Sequence, residues 1–402
     1  MNVCAPDGIL HAIGGGYVIR WIAILTAMTI LAANSAQTST QVPAVDSSAQ
    51  AAADRLFQGM TSPADPGLAV LVKRNGHVVL ERNYGVRDLR SKTPIDANTD
   101  FRLASCTKQF TAMGIMLLVH DGKLLYDETL AELFPDFPAY GRAITIRELL
   151  THTSGLPDYE TLMEKDKAHT WTDKNQISDE EVLRLLESAK SGDFAPGTRW
   201  AYSNSGYVLL GVIISRASGK SYGEFLHERI FAPLKMENTL AFVNNKNEVP
   251  NRAYGHSREN GVFVQTDQSS TSATLGDGGV YSNLNDLSKW DDALRNRTLL
   301  SEAEMRVALT PGTLASGGAT RWPQESGDDN LHPGEPVEYG FGWFLDPYRD
   351  HQRMWHYGST MGFRTAIERF PTDELTVVIL ANRSDLDVDK LALQTAELYL
   401  KK

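Results

Sequence analysis

The sequence predicts an α+β fold in which one antiparallel sheet is built from both ends of the chain. Near the N-terminal end, apolar and alternating residues at 67–84 surround Asn75-Gly76, a pair typical of a type I′ hairpin turn. Near the C-terminal end, residues 364–370 and 375–381 are predicted to form two neighbouring strands. Between these ends the pattern is mainly helical, so we expect flanking helices and a helical inserted region at roughly 136–270.

The composition is that of a globular protein of 402 residues, with 42% hydrophobic and 22% charged residues. A formal net charge of −11 without a basic cluster argues against nucleic acid as a partner. Cys4 falls in a segment expected to be removed, which leaves Cys106 alone and excludes an intramolecular disulfide or a cysteine metal site. The sequence also lacks H-E-x-x-H, so we expect neither metal nor cofactor.

The N-terminus has the pattern of a secretory signal peptide, assigned to residues 1–36. Its uncharged apolar stretch at 21–33 is short for a membrane span and is followed by small residues suited to cleavage. An uncleaved anchor and a later translation start, for example at Val18, remain alternatives. Residues 37–50 are predicted to be a disordered leader, and 51–402 the folded domain. The protein is therefore expected to be exported, either periplasmic or secreted.

The first chemical motif is Ser105-Cys106-Thr107-Lys108, followed by an apolar helical pattern that ends at Gly122. If Ser105 opens this helix, Lys108 lies one turn later on the same face. An amine in a partly desolvated pocket can lose its charge and accept a proton from a serine. The alternative is a serine and a lysine on a solvated helix turn. Cys106 is expected to be a buried spacer.

A second motif, Tyr202-Ser203-Asn204, precedes another predicted helix. Two side chains at this spacing in a loop can point into one cleft, where a tyrosine with a pKa lowered by a nearby lysine would serve as general base. A second Tyr-Ser-Asn at 281–283 follows a glycine-rich segment, and the pattern alone does not separate the two copies. His152, in a Ser/Thr/Gly/Pro loop, is expected to fix that loop by hydrogen bonds rather than to act in catalysis.

A third motif, His356-Tyr357-Gly358, follows far along the chain. With these three segments the chain resembles the serine β-lactamase and penicillin-binding-protein-like family. It is most similar to class C β-lactamases, D-alanyl-D-alanine carboxypeptidases and related esterases. The resemblance covers roughly 64–381, and its further stretches are 149–157, 196–211 and 278–290.

The resemblance implies a β-lactamase/transpeptidase-like fold and a set of site residues. Ser105 corresponds to the acylated nucleophile, Lys108 to its proton-transfer partner and Tyr202 to the general base. Positions implied to bind substrate are Asn204, His356, Gly358 and Ser359. The backbone N–H groups of Ser105 and Ser359 would form the oxyanion hole.

Chain order separates these motifs from similar ones. Lys190-Ser191-Gly192 precedes Tyr202 and so does not occupy the position of the third motif. Neither His120-Asp121-Gly122 nor His332-Pro333-Gly334 is followed by the pair of strands. Tyr281 falls in the glycine-rich segment typical of the family after its helical insert, which favours Tyr202 as the base.

The resemblance implies an exported serine hydrolase that works through an acyl-enzyme on Ser105 and cleaves D-amino-acid peptide, amide or ester bonds. Its partner would be a small-molecule or peptide substrate, such as a peptidoglycan-type peptide, an ester or a β-lactam, with no stable membrane span once the signal is cleaved. His356 stands where most β-lactamases have lysine, a permanent cation that can hold a substrate carboxylate. Alternatives are a true β-lactamase and a non-catalytic penicillin-binding or scaffold protein.

Overall fold

The computed structural model of the protein describes residues 47–321 and 337–401. Its strands are β1 (Leu68–Arg74), β2 (His77–Tyr84), β3 (Phe101–Arg102), β4 (Leu240–Ala241), β5 (His256–Glu259), β6 (Val262–Gln265), β7 (Val280–Ser282), β8 (Glu338–Tyr339), β9 (Phe344–Tyr348), β10 (His351–Thr360), β11 (Phe363–Phe370) and β12 (Leu375–Ala381). Its α-helices are α1 (Ser47–Phe57), α2 (Lys108–His120), α3 (Leu130–Leu133), α4 (Ile146–Leu150), α5 (Tyr159–Lys165), α6 (Asp179–Ser188), α7 (Asn204–Ser218), α8 (Tyr222–Leu226), α9 (Leu284–Asn296), α10 (Glu302–Ala308) and α11 (Val388–Glu397).

The main sheet joins the two ends of the described chain. Its seven strands lie in the order β2-β1-β12-β11-β10-β9-β8, and every registered pair is antiparallel. The pairing of β1 with β12 runs from Leu68 opposite Ala381 to Arg74 opposite Leu375, so a strand from early in the chain pairs with a strand from its end. The predicted α+β fold with one sheet built from both chain ends is confirmed.

The turn between β1 and β2 shows how local sequence sets the register of this sheet. Arg74 pairs with His77, leaving a two-residue loop. Both loop residues have positive φ, 51° for Asn75 and 76° for Gly76, as a type I′ turn requires. The hairpin predicted from Asn-Gly is confirmed.

Both faces of the central strands are covered, which explains why β1 and β12 are almost continuously apolar. In β1, Leu68, Val70 and Val72 point into the core that also contains residues of α1 and α11. Ala69 and Leu71 point to the opposite face, into the larger core that includes α2, α7 and α9. Burying each such aliphatic side chain stabilises the fold by roughly 1.5–3 kcal/mol. The sheet is therefore an inner layer that the helices enclose.

The inserted helical region faces the main sheet, and the candidate active site lies between the two. Helix α7 is buried from Ser205 to Ile214 and packs against α2, α4 and α6. The predicted insert at 136–270 is mainly helical, but it also contains β4 and the β5–β6 hairpin. A second small sheet, β3-β7-β4, connects this region to the segment before α2.

Helix α1 lies at the N-terminal end of the described residues. It spans Ser47–Phe57 and so includes the last four residues of the predicted leader, 37–50. Ala49, Ala53 and Phe57 pack on the sheet, and Gln50 Nε2 donates to Val79 O at 2.7 Å, which holds this turn in place. The predicted signal peptide at 1–36 and the leader through residue 46 lie outside the described residues. Within the described part of the chain, no helix has the length and apolar character to cross a bilayer.

Candidate active site

Ser105 lies in a short 3₁₀ turn, Ala104–Thr107, between β3 and α2. The sequence predicted that Ser105 opens the α-helix, but the α-helical hydrogen bonds begin only at Lys108. Ala104, directly before the serine, has φ +47°, a conformation that costs a non-glycine residue energy and is common at functional turns. The turn thus presents Ser105 at the helix N-terminus in a partly exposed position.

The Lys108 amine lies at the centre of the candidate site. Its Nζ donates to Ser105 Oγ at 3.1 Å, to Asn204 Oδ1 at 2.8 Å and to the backbone oxygen of Asp277 at 2.9 Å. The side chain is fully buried. Burial lowers the pKa of Lys108 from 10.5 to about 8, and the nearby Asp277 opposes that effect only in part. A substantial fraction of Lys108 is therefore neutral near physiological pH.

Tyr202 lies beside the serine at the start of α7. A side-chain hydrogen bond joins it to Ser105, and Lys108 Nζ lies 4.9 Å from the centre of its ring. The sequence suggested that a nearby lysine would lower the pKa of this phenol. Instead burial raises the pKa of Tyr202 well above its usual value, because the phenolate would lose hydration that the site does not replace. Tyr202 is thus a neutral phenol that lies beside a buried amine.

His152 fixes the segment that carries Tyr202. Its backbone oxygen accepts from the N–H of Ala201 at 3.0 Å, and its Nδ1 accepts from the N–H of Ser203 at 3.1 Å. The imidazole is buried and lies 4.4 Å from the Tyr202 ring, centre to centre. Burial lowers its pKa well below the usual value, so the ring is neutral. His152 was predicted to fix its own loop; these hydrogen bonds instead hold the segment that carries Tyr202.

His356 lies behind the site rather than at its surface. Its ring is buried among aromatic side chains; Nε2 lies 3.2 Å from the Tyr339 hydroxyl, and Nδ1 lies 2.7 Å from the backbone oxygen of Tyr357. Since a carbonyl only accepts, Nδ1 carries the proton and Nε2 accepts from Tyr339. Burial and the Lys108 charge lower the pKa of His356 to about 3. The imidazole is therefore neutral and does not offer a substrate a positive charge.

The remaining residues of the third motif let β10 pack against the 3₁₀ turn that carries Ser105. A Cβ at Gly358 would lie 2.2 Å from the backbone oxygen of Leu103, so only glycine permits this approach. Cys106 Sγ donates to the backbone oxygen of His356 at 3.2 Å, which joins the same two segments. Strand β9 pairs with β10 only as far as Trp355, and Ser359 lies beyond that point, exposed beside Ser105.

A cleft of about 70 Å³ brings these parts together. Three of the predicted site residues line it, namely Ser105, Asn204 and Ser359. Sequence analysis missed further lining residues, including Arg102, Glu160 and Asp277. Asp277 lies in Gly276-Asp277-Gly278-Gly279, so the glycine-rich segment before the second Tyr-Ser-Asn was the signal that could have found it.

The similar motifs lie elsewhere. Tyr281 is in β7, where its hydroxyl accepts from Arg252 at 3.2 Å. His120, at the end of α2, pairs with Glu304 on the surface. Lys190-Ser191-Gly192 follows α6 in a loop, and His332-Pro333-Gly334 lies outside the described residues. Within residues 47–321 and 337–401, no group of three or more His, Cys, Asp or Glu side chains is arranged to hold a metal ion.

Comparison with known proteins identifies the family. A profile of the family described as Beta-lactamase matches residues 52–400, nearly the whole described chain. The chain belongs to the β-lactamase family. It is 34% identical to a penicillin-binding protein of Bacillus subtilis over 82% of this chain and 71% of that protein. It is 27% identical to a D-aminopeptidase of Cereibacter sphaeroides over 81% of this chain but only 57% of that protein.

A solved structure in this family has the same fold. The D-amino acid amidase from Ochrobactrum anthropi SV3, in complex with L-phenylalanine amide, superposes with a TM-score of 0.68 and 26% identity. The match covers 87% of this chain and 99% of the amidase. This β-lactamase-family chain is therefore similar along most of its length to a protein named D-amino acid amidase.

Proposed function

We propose that this protein is an exported serine hydrolase that forms an acyl-enzyme on Ser105 and cleaves D-amino-acid peptide, amide or ester bonds. The observation that carries the proposal is the fully buried Lys108 amine, 3.1 Å from Ser105 Oγ, with a pKa of about 8. A serine hydroxyl beside an amine of that pKa is an activated nucleophile. A surface pair would keep the lysine charged, so burial is what makes the arrangement chemically useful.

The proposed mechanism assigns each proton to a group. Neutral Lys108 accepts the proton of Ser105 as Oγ attacks the substrate carbonyl, and the backbone N–H groups of Ser105 and Ser359 stabilise the oxyanion. The tetrahedral intermediate expels the amine or alcohol, which takes a proton from the Tyr202 hydroxyl; Tyr202 regains one from Lys108. Water then attacks the acyl-enzyme by the reverse proton path and releases the acid. Asn204 orients both Lys108 and the substrate carbonyl.

Two observations favour a D-amino-acid peptidase or amidase over a β-lactamase. The relatives include proteins named D-aminopeptidase and D-amino acid amidase. In addition, the third motif supplies a neutral, buried imidazole at His356, where a lysine would offer a cation to the carboxylate of a β-lactam. His356 and Gly358 would then act from behind the site, by holding β10 against the turn that carries Ser105.

Export and the division of the chain remain part of this proposal. The apolar stretch at 21–33 supports a signal peptide within 1–36, with 51–402 as the principal hydrolase domain. Fractionation of the native host, followed by N-terminal sequencing of the purified protein, tests both points. A mature N-terminus near residue 37 in the periplasm or medium supports export; intact protein in the cytoplasm contradicts it.

The activity is tested by comparing the purified protein with Ser105→Ala. Both are incubated with a fluorescent penicillin, while nitrocefin, p-nitrophenyl acetate and D-alanine p-nitroanilide are assayed in parallel. We expect Ser105-dependent hydrolysis of the D-alanine substrate, with little nitrocefin turnover. Rapid nitrocefin hydrolysis would identify a β-lactamase instead. Equal inactivity of both proteins towards every substrate would overturn the hydrolase assignment and favour a binding role.

A further inference from the structure

The cleft beside Ser105 contains carboxylates that the proposed hydrolysis does not use. Asp277 and Glu160 line it together with Ser105. Asp277 is only 7% exposed. The backbone oxygen of Asp277 accepts a hydrogen bond from Lys108 Nζ at 2.9 Å. The side chain of Asp277 therefore lies near the proposed proton acceptor. A charge at this position lies close to where bond cleavage would occur.

The Asp277 carboxylate is incompletely paired. Its Oδ2 accepts from the Tyr159 hydroxyl at 3.4 Å, a long hydrogen bond. Its Oδ1 is buried and has no hydrogen-bond partner in the described part of the chain. An enclosed carboxylate oxygen without a donor is costly, so such a group calls for an explanation, such as a catalytic or binding role or a donor supplied by water or an ion.

The nearby cations are engaged elsewhere. Lys108 Nζ donates to Ser105, to Asn204 and to the backbone oxygen of Asp277, not to the Asp277 carboxylate. The Arg102 guanidinium donates to Ser272 Oγ and to the backbone oxygens of Ser272 and Gly278. No ion pair within 4 Å reaches Asp277 among the residues that the structure describes. None of these cations of the described chain therefore donates to Oδ1, which is left able to accept a hydrogen bond from a ligand.

Glu160 adds a second acidic group to the same cleft. Burial and the neighbouring carboxylates Asp158 and Asp277 raise the pKa of Glu160. Asp277 thus lies close enough to Glu160 for the two charges to oppose each other. A cation placed between them would relieve this repulsion and gain hydrogen bonds at the same time.

We propose that Asp277, assisted by Glu160, binds the free α-ammonium group of a small D-amino-acid amide, ester or peptide. The ammonium lies on the acyl side of the scissile bond, one carbon from the carbonyl that Ser105 attacks, and a cleft of about 70 Å³ suits a group of this size. Three N–H donors on the ammonium match the unpaired Oδ1. N-acylation removes the charge and adds bulk, so blocked substrates are disfavoured. This inference rests on the proposed hydrolase function and specifies its substrate class as N-terminally unblocked.

The first test compares D-alanine p-nitroanilide with its N-acetyl derivative. The measured quantity is the ratio of kcat/KM for the free substrate to kcat/KM for the blocked one, which cancels any general loss of activity. We expect Asp277→Asn to lower this ratio at least tenfold. Glu164→Gln removes a charge from the same helix as Glu160 but does not line the cleft, and we expect the ratio to stay within twofold. An unchanged ratio in Asp277→Asn would overturn the inference while leaving the hydrolase function intact.

A second test measures binding without turnover. Calorimetric titration of Ser105→Ala with D-alanine amide should show an affinity at least tenfold higher than that of Ser105→Ala/Asp277→Asn. Binding of N-acetyl-D-alanine amide should differ little between the two proteins. Binding with this dependence supports the ammonium site even if the hydrolysis assay fails, so the two proposals can fail separately. Equal affinity of both proteins for D-alanine amide would overturn the ammonium site.

Discussion

At the scale of single residues, burial decides which group of the candidate site exchanges protons. Lys108 and Tyr202 lie side by side, yet burial lowers the pKa of one and raises the pKa of the other. Both shifts have the same origin, since a site that excludes water disfavours the ammonium and the phenolate alike. In the proposed mechanism the neutral form of the amine accepts a proton and the phenol donates one.

This pairing predicts the pH dependence of acylation. Lys108 is charged below its pKa of about 8 and neutral above it, so kcat/KM should rise with pH, pass its midpoint near pH 8 and level off about one pH unit higher. The measurement is p-nitrophenyl ester hydrolysis between pH 6 and 9.5, corrected for the reaction of Ser105→Ala. A rate that is flat or falls across this range would contradict the assignment of Lys108 as the proton acceptor.

A matched variant separates the amine's charge from its hydrogen bonds. Lys108→Arg retains a donor at this position but is effectively always protonated. We expect it to lower kcat/KM by about 10²–10⁴, the usual contribution of general-base catalysis, and to remove the rise near pH 8. Circular dichroism before and after heating checks that the variant is folded.

At the scale of secondary structure elements, the site depends on two contacts that hold separate segments in place. Gly358 lets β10 approach the turn before α2, and Thr365 Oγ1 of β11 donates to the backbone oxygen of Leu103 at 2.8 Å. His152 fixes the chain on both sides of Tyr202. Each contact joins elements that are far apart in sequence. A substitution in one of these contacts would therefore displace a reacting side chain that the substituted residue does not itself contact.

The approach of β10 predicts that Gly358→Ala is severely damaging. Its Cβ would meet Leu103 O at 2.2 Å and Thr365 Oγ1 at 2.4 Å, so β10 must shift away from Ser105. We expect a loss of about 1–3 kcal/mol in the free energy of unfolding, as for other overpacked sites, together with a fall in kcat. Urea denaturation and ester hydrolysis measure the two effects. Gly318→Ala is the control, since its nearest atom would be Ser316 Oγ at 3.6 Å.

His152 is predicted to hold Tyr202 in position rather than to transfer a proton itself. His152→Phe fills the aromatic cluster but removes the acceptor of the Ser203 N–H, which costs about 1–3 kcal/mol in the free energy of unfolding. We expect kcat to fall while the midpoint near pH 8 stays in place. His152→Asn keeps an acceptor and tolerates the φ of +58° at this residue, so it should retain more activity. A shift of the midpoint in His152→Phe would indicate a direct role in proton transfer.

At the scale of the whole molecule, the sheet depends on pairing between residues about 300 positions apart, as in the hydrogen bond between Gly67 N and Asn382 Oδ1 at 2.8 Å. One part of this sheet contains buried charges as well as apolar side chains. Glu368 on β11 is enclosed with Arg353 and Asp346 from the neighbouring strands. Burial raises the pKa of Glu368 to about 8, although Arg353 opposes the shift.

Global stability should therefore depend on pH through Glu368. Its folded pKa of about 8 exceeds the ordinary 4.5, so the folded state binds the extra proton between these values. Stability from this group is complete below about pH 4.5 and is lost as pH rises through about 8. The change is on the order of a few kcal/mol. Urea unfolding at pH 5 and 8 should show a smaller difference in Glu368→Gln than in wild type; equal differences would contradict the prediction.

Much of the fold was predictable because its signals are local. The Asn75-Gly76 turn, the strands at 364–370 and 375–381 and the helix after Ser105 each follow from neighbouring residues or a short period. The boundaries were less predictable. Helix α2 begins at Lys108 rather than at Ser105, because the turn around Ala104 sets that end.

The sequence by itself determined the hairpin and the spacing that places Lys108 beside Ser105, since both depend on local geometry. It also indicated strands at both chain ends, although their pairing is a long-range contact. Only the tertiary structure decided the chemistry of the cleft. Lys108 meets Asp277 across 169 positions, and His356 loses its charge among aromatic rings from other elements. Burial and the pairing of distant groups set both the pKa values and the unpaired carboxylate oxygen. Neither the shifted pKa values nor the unpaired oxygen exists until the chain has folded.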